Sequence, residues 1–254
     1  MNTLKKILFK TLSQRNYLKI LHISFYLLYD LGFLKKDYRF KYHYMVKRLI
    51  KPHYTVVDIG ANLGYFSKNF ARLASKGKVV SIEPVPLFFE TLQFFMKKFK
   101  NSTLYNVALG TEDGTITMVM PTSNGMIRTG LPHIPTESED TSNEQKQEVK
   151  ILKGSALLSG LEKIDYIKCD IEGYELTVFQ ELKEIISTHQ PYIQIEIAET
   201  NLSAMLALFS SMNYTQYGIY NGKFIQENGK QKEDGDFFFV PEKHKLTFEA
   251  DFTV

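Results

Sequence analysis

The chain has 254 residues, which suits one α/β domain with an appendage rather than two full domains, and its 44% hydrophobic content supports a sizeable core. The single cysteine, Cys169, excludes a disulfide framework and a cysteine-based zinc site, and its place in an apolar run marks it as a buried strand residue. Residues 1–51 hold 12 Lys and Arg against Asp30 and Asp37, whereas the remainder holds 19 bases and 26 acids, so no nucleic-acid partner is expected and the basic front points to an anionic surface.

Residues 1–50 read as two or three helices, with Leu4, Ile7, Leu8 and Leu12 at helical spacing. They are expected to form a helical extension that caps the main domain of residues 51–254, with contact to a membrane surface or partner as the alternative. Charges break the apolar runs of the start and no small-residue cleavage site follows, so a signal peptide is not expected. Lys19, His22 and Asp30 interrupt the stretch from Leu18 to Leu34, which argues against a spanning helix. The expected location is cytoplasmic, with peripheral contact at the inner membrane surface as an option.

From Tyr54 the pattern alternates. Strands are predicted over 55–59, 78–83 and 103–107, with helices over 64–75 and 86–100 between them. Thr115 to Met120 is strand-like, and residues 121–150 read as a polar loop or lid carrying His133. The rhythm resumes with a strand over 164–170, a helix over 175–187 and a strand over 192–197. Asn201 is expected to cap a helix ending at Met212, and strands at 214–220 and 237–240 close the chain. This order predicts a parallel sheet with ligands at the carboxyl ends of its strands.

Three segments carry chemistry. In Asp58-Ile59-Gly60-Ala61-Asn62-Leu63-Gly64 the glycines follow a strand and precede a helix N-terminus, which suits close approach of a ligand. The spacing fits neither the dinucleotide G-x-G-x-x-G nor a P-loop. Glu83, 25 residues after Asp58, ends the next strand, where an acid can accept both hydroxyls of a ribose, and Pro84 sets the turn after it. Without a phosphate grip in either loop, a nucleoside ligand lacking a pyrophosphate fits, and S-adenosylmethionine suits better than NAD. In Asp170-Ile171-Glu172-Gly173-Tyr174-Glu175, carboxyls crowded at a strand end are candidates for a general base with a raised pKa. Glu175 could equally serve the first turn of the next helix. Glu196, late in an apolar strand, is a third candidate for catalysis beside Asp170 and Glu172.

The series DIGANLGYFS, SIEPVP, NVALG, IDYIKCDIEGYE and QPYIQIE resembles the FkbM family of S-adenosylmethionine-dependent methyltransferases from Tyr54 to Ala198. The resemblance implies a class I methyltransferase fold, a Rossmann-like seven-stranded, mostly parallel sheet with helices on both faces. It implies methyl transfer to hydroxyl groups, on a sugar, glycan or related metabolite such as arises in polysaccharide biosynthesis. It carries the cofactor loop onto Asp58, Gly60, Ala61, Asn62, Gly64, Tyr65 and Phe66, the ribose acid onto Glu83 beside Pro84, and the adenine segment onto Val107 and Ala108. The family's D-x-E-G-x-E signature falls on Asp170, Glu172 and Glu175. The Thr-Leu-Asp that the family often carries before the strand over 164–170 is replaced here by Ser155-Ala156-Leu157-Leu158-Ser159. The acid cluster could instead hold a divalent cation that lowers the hydroxyl pKa. The competing readings are an NAD-dependent sugar oxidoreductase, which lacks its glycine turn here, and an inactive binding scaffold, which would have no need of Glu83 and Asp170.

Overall fold

A computed structural model describes residues 13–123, 126–136, 139–227 and 235–253. The helical pattern of Leu4, Ile7, Leu8 and Leu12 lies outside the described residues. Helix α1 (Gln14–Asp30) starts at Ser13, whose hydroxyl accepts from the Asn16 amide, and α2 (Lys41–Leu49) follows it. The α/β body begins with β1 (Thr55–Ile59), α3 (Tyr65–Leu73), β2 (Lys78–Ile82), α4 (Pro86–Met96) and β3 (Ser102–Tyr105). Pro86 opens α4 at a position whose amide would have no helical partner. Then come β4 (Ala108–Gly110), β5 (Gly114–Met120), β6 (Thr122–Ser123), β7 (Met126–Ile127), β8 (Gln145–Lys153) and the short α5 (Gly154–Leu158). The second half runs β9 (Tyr166–Cys169), α6 (Glu175–Glu181), α7 (Lys183–His189), β10 (Tyr192–Glu196) and α8 (Leu202–Ser211). It ends with β11 (Tyr214–Tyr220), β12 (Lys223–Gln226), β13 (Asp236–Pro241) and α9 (Glu242–Phe252).

Among the described residues the main sheet has eight strands in the order β12-β11-β13-β10-β9-β1-β2-β3. The five from β3 to β10 are parallel, whereas β13, β11 and β12 join antiparallel to their neighbours. The eighth strand, beyond the seven expected, is β12, which the Asn221-Gly222 turn folds back on β11. Strand order reverses at β1, with β2 on one side and β9 on the other, so a crevice opens above the carboxyl ends of these strands.

Both faces of the sheet are covered, and the strand period sorts the side chains between them. Val57, Ile59, Ile167, Cys169, Ile193 and Ile195 pack into one core. Val56, Tyr166, Phe238 and Val240 pack into the other, which also contains Tyr42, Met45, Val46 and Leu49 of α2. Packing therefore runs across the expected boundary at residue 50. Asp58 and Lys168 are on the second face, side by side in the register of β1 and β9.

The expected 121–150 loop is shorter than its sequence suggested. Residues from Gln145 onward form β8, which pairs antiparallel with β5 and parallel with β4 in a separate three-stranded sheet. The helix expected over 175–187 is two helices, broken at Leu182, whose amide closes α6 on Val178 and Gln180.

Candidate active site

The turn after β1 is shaped by close approach. Gly60 has φ +74°, and a Cβ there would lie 1.8 Å from the carbonyl oxygen of Asp170, so the β1 and β9 ends meet where only glycine fits. The amides of Gly60 and Ala61 both donate to the Ile82 carbonyl at the end of β2. Asp58 is wholly buried beneath this turn and accepts from the Ser67 hydroxyl of α3 at 2.5 Å. Burial raises its pKa, and Lys168 opposes that rise.

Glu83 is 4% exposed at the carboxyl end of β2. One oxygen accepts from the Asn62 amide at 2.7 Å and the other from the Val85 amide at 2.9 Å. Each carboxylate oxygen has two acceptor sites, so one on each stays available. Burial pushes its carboxyl up to about 7, against the pull of these two bonds. Asn106 fixes the same corner by donating to the carbonyls of Glu83 and Pro84.

At the end of β9 the chain turns through two left-handed residues, Glu172 (φ 54°) and Gly173 (φ 99°). Glu175 holds this turn, since one of its oxygens accepts from the amides of Ile171 and Gly173, each at 3.1 Å. That is a structural task for the last acid of the signature. Asn201, expected to cap α8, instead donates its side-chain amide to the Gly173 carbonyl at 3.0 Å. Burial, then the charges of Asp170 and Glu175, push Glu172 up to about 7. Glu196, at the end of β10, is raised well above the usual carboxyl range by burial and by Asp170, Asp236 and Glu172.

Lys168 is the residue that sequence reasoning missed. It is 5% exposed, donates to Asp170 at 3.0 Å and to the Gly60 carbonyl at 3.3 Å, and stands beside Asp58. Burial alone would lower its pKa, but Asp170 and Asp58 outweigh burial and keep the ammonium charged. A lone cation inside an apolar run gave no spacing signal. Among the described residues no group of three or more His, Cys, Asp or Glu side chains is arranged to hold a metal ion. The donor set does not fit a divalent cation, because Asp170 is already engaged by this fixed ammonium.

These elements line an open cleft. Gly60, Asn62, Glu83, Pro84, Val107 and Ala108 line one part, and Asp170, Glu172 and Tyr174 the other. Gly130, Pro132 and Ile134 lie across it, held where residue 133 pairs with Val119 of β5. The His133 ring bonds Leu131 and Glu139. Of the other expected cofactor residues, Asp58, Ala61 and Gly64 support the turn from beneath, and Gly64 starts α3 at φ +87°. Tyr65 and Phe66 do not line the cleft. Tyr65 packs on His22 of α1 and Phe66 on His43 of α2. Glu196 stands beside the acid cluster, outside the cleft lining.

A doubly wound sheet with an acid-lined, glycine-floored cleft at its switch point defines a class I methyltransferase fold. The Methyltransferase FkbM domain model matches residues 58–215, so the chain belongs to the FkbM methyltransferase family. The crystal structure of methyltransferase FkbM from Methylobacillus flagellatus KT shares the fold, with TM-score 0.50 and 15% identity, over 75% of this chain and 44% of that one. Methyltransferase sdnD of Sordaria araneosa is 26% identical over 174 residues, which is 57% of this chain and 65% of that protein. Methyltransferase 1 of Beauveria bassiana (strain ARSEF 2860) is 25% identical over 161 residues, 51% of this chain and 58% of that protein. The chain thus spans less than two thirds of these curated relatives.

Proposed function

We propose that the chain transfers a methyl group from S-adenosylmethionine to a hydroxyl oxygen of a sugar, glycan or related metabolite. The observation that carries this reading is the meeting, in one cleft, of buried Glu83 above the Gly60 turn with the strained acidic turn of Asp170 and Glu172. The residues fit the cofactor. Glu83 keeps one acceptor site per oxygen for vicinal hydroxyls, the bare Gly60 turn admits a ligand close to backbone, and Val107, Ala108 and Leu109 offer apolar walls for a base. When bound, the cofactor supplies an electrophilic methyl group on a sulfonium leaving group.

The chain's own task is to orient the acceptor and take its proton. Alignment of the reacting atoms can supply several kcal/mol, about 7 or more in favourable cases. Glu172 would take the hydroxyl proton as the acceptor oxygen is methylated. A carboxyl near 7 is matched to that role at neutral pH. Lys168 keeps Asp170 paired, so Asp170 positions the turn and sets the local field.

Isothermal titration of the purified chain with S-adenosylmethionine tests the reading. Saturable binding is expected, and Glu83→Ala should weaken it by about 100-fold through loss of charged hydrogen bonds. No binding by the parent chain would overturn the function, and unchanged binding by Glu83→Ala would overturn the ribose assignment. Methyl transfer from labelled cofactor to a panel of glycans and lipid-linked sugars would then identify the acceptor.

A further inference from the structure

Helix α1 packs inward through Leu18 and through polar atoms bonded to backbone carbonyls: His22 Nδ1 to Leu63, Tyr26 OH to Tyr65 and Tyr29 OH to His43. Its outer side is aliphatic. Ile20, Ile23, Leu27, Leu28 and Leu31 are 37–63% exposed, and Phe33 just beyond is 72% exposed. These positions recur at helical spacing, so they form one stripe facing away from the body. A surface helix normally presents the opposite polarity, and an exposed apolar patch with a polar rim marks a contact surface.

Basic residues stand at both ends of the stripe. Lys19 stands at one end and Lys35 and Lys36 follow the other, whereas Arg15 is paired with Glu90 and Arg39 with Asp37. Lys19, one turn before Ile23, lies 4.3 Å from the ring of half-exposed Phe94, and Lys97 lies 4.8 Å from the same ring, in an open groove shared with Arg15. The acids of this segment are already engaged, Asp30 by Arg72 at 3.2 Å and Asp37 by Arg39 at 2.5 Å.

We infer that the outer face of α1 docks on a bilayer surface rich in anionic phospholipid, with the aliphatic stripe entering the headgroup–acyl boundary. Charge selects this occupant over a second copy of the chain. Whether two such helices paired parallel or antiparallel, basic ends would meet basic ends, whereas an anionic leaflet attracts each Lys or Arg by about 1 kcal/mol. The docked helix shares a core with Val85, Phe88 and Met118 of the cleft wall, so docking holds the cleft at the lipid surface. This inference goes beyond the proposed chemistry and does not depend on it.

Co-sedimentation of the full chain with vesicles tests it, using phosphatidylcholine alone and phosphatidylcholine with about 30 mol% phosphatidylglycerol. Binding is expected to the anionic vesicles only, with a loss of about tenfold or more when salt is raised to about 0.5 M. The doubly substituted I23D/L27D chain should lose binding by at least about tenfold, with its thermal melt retained because both side chains face solvent. Lys35→Gln with Lys36→Gln should weaken binding and reduce its salt sensitivity. Equal binding to both vesicle types, no binding, or unchanged binding by I23D/L27D would each overturn the inference. So would a solution dimer that I23D/L27D dissociates.

Discussion

Glu172 adopts φ 54°, a conformation that costs a residue with a side chain about 1 kcal/mol, and the Glu175 carboxylate holds it there. The strain aims a desolvated carboxyl into the cleft beside Asp170. If Glu172 takes the acceptor proton, only its anion is active. The rate at saturating cofactor should therefore rise about tenfold per pH unit below about 7 and level off above it. Glu172→Gln keeps the shape and removes the base, so kcat should fall by about 10²–10⁴ while cofactor binding is retained. A pH-independent rate across this range, or an unaffected Glu172→Gln, would assign the proton to another group. Raised Glu196 would be the next to test. At this scale the sequence was readable where a residue's type and position jointly restrict its use. Glu83 after β2 and the acids after β9 met that condition. Lys168 did not, because its place beside Asp58 arises only from the register of β1 and β9.

Turns, more than strands, build the site, and one glycine shows how little room they leave. Gly60 combines a left-handed backbone with a virtual Cβ 1.8 Å from the Asp170 carbonyl. Gly60→Ala must pay the left-handed penalty and also push apart the ends of β1 and β9, for a combined cost of about 2–5 kcal/mol. Its melting temperature should fall by on the order of 10 °C, and cofactor binding should weaken with it. A stable Gly60→Ala chain with normal binding would mean that the two strand ends part freely. The β1–α3–β2–α4 half was legible because apolar runs, Pro86 and the glycine turn mark each boundary. Strand β8 was not, since only Val149 and Ile151 of QKQEVKILK are fully buried and the largely polar remainder reads as loop. The break between α6 and α7 carries no Gly or Pro. Asn201 had the chemistry of a helix cap, and the nearby Gly173 carbonyl claimed its side chain.

Across the whole molecule, the basic front packs inward through both of its helices. Inward, His22 stacks on Phe95 at 3.7 Å and closes over Leu63 of the β1–α3 turn, while α2 buries Tyr42, Met45, Val46 and Leu49 in the core that also holds Val56 and Phe70. Burying each such side chain is worth about 1.5–3 kcal/mol, so the four of α2 together rival the 5–15 kcal/mol net stability of an ordinary domain. A fragment of residues 51–254 should therefore lack a cooperative thermal transition and expose apolar surface to a hydrophobic dye. A sharp melt by that fragment near the temperature of the full chain would show that the front is a detachable appendage. The same energetics decide how the outer face can be probed. Deleting the front would remove part of the core together with the proposed lipid-facing side, whereas Ile23 and Leu27 contact solvent and can change while His22, Tyr26 and Tyr29 keep α1 seated.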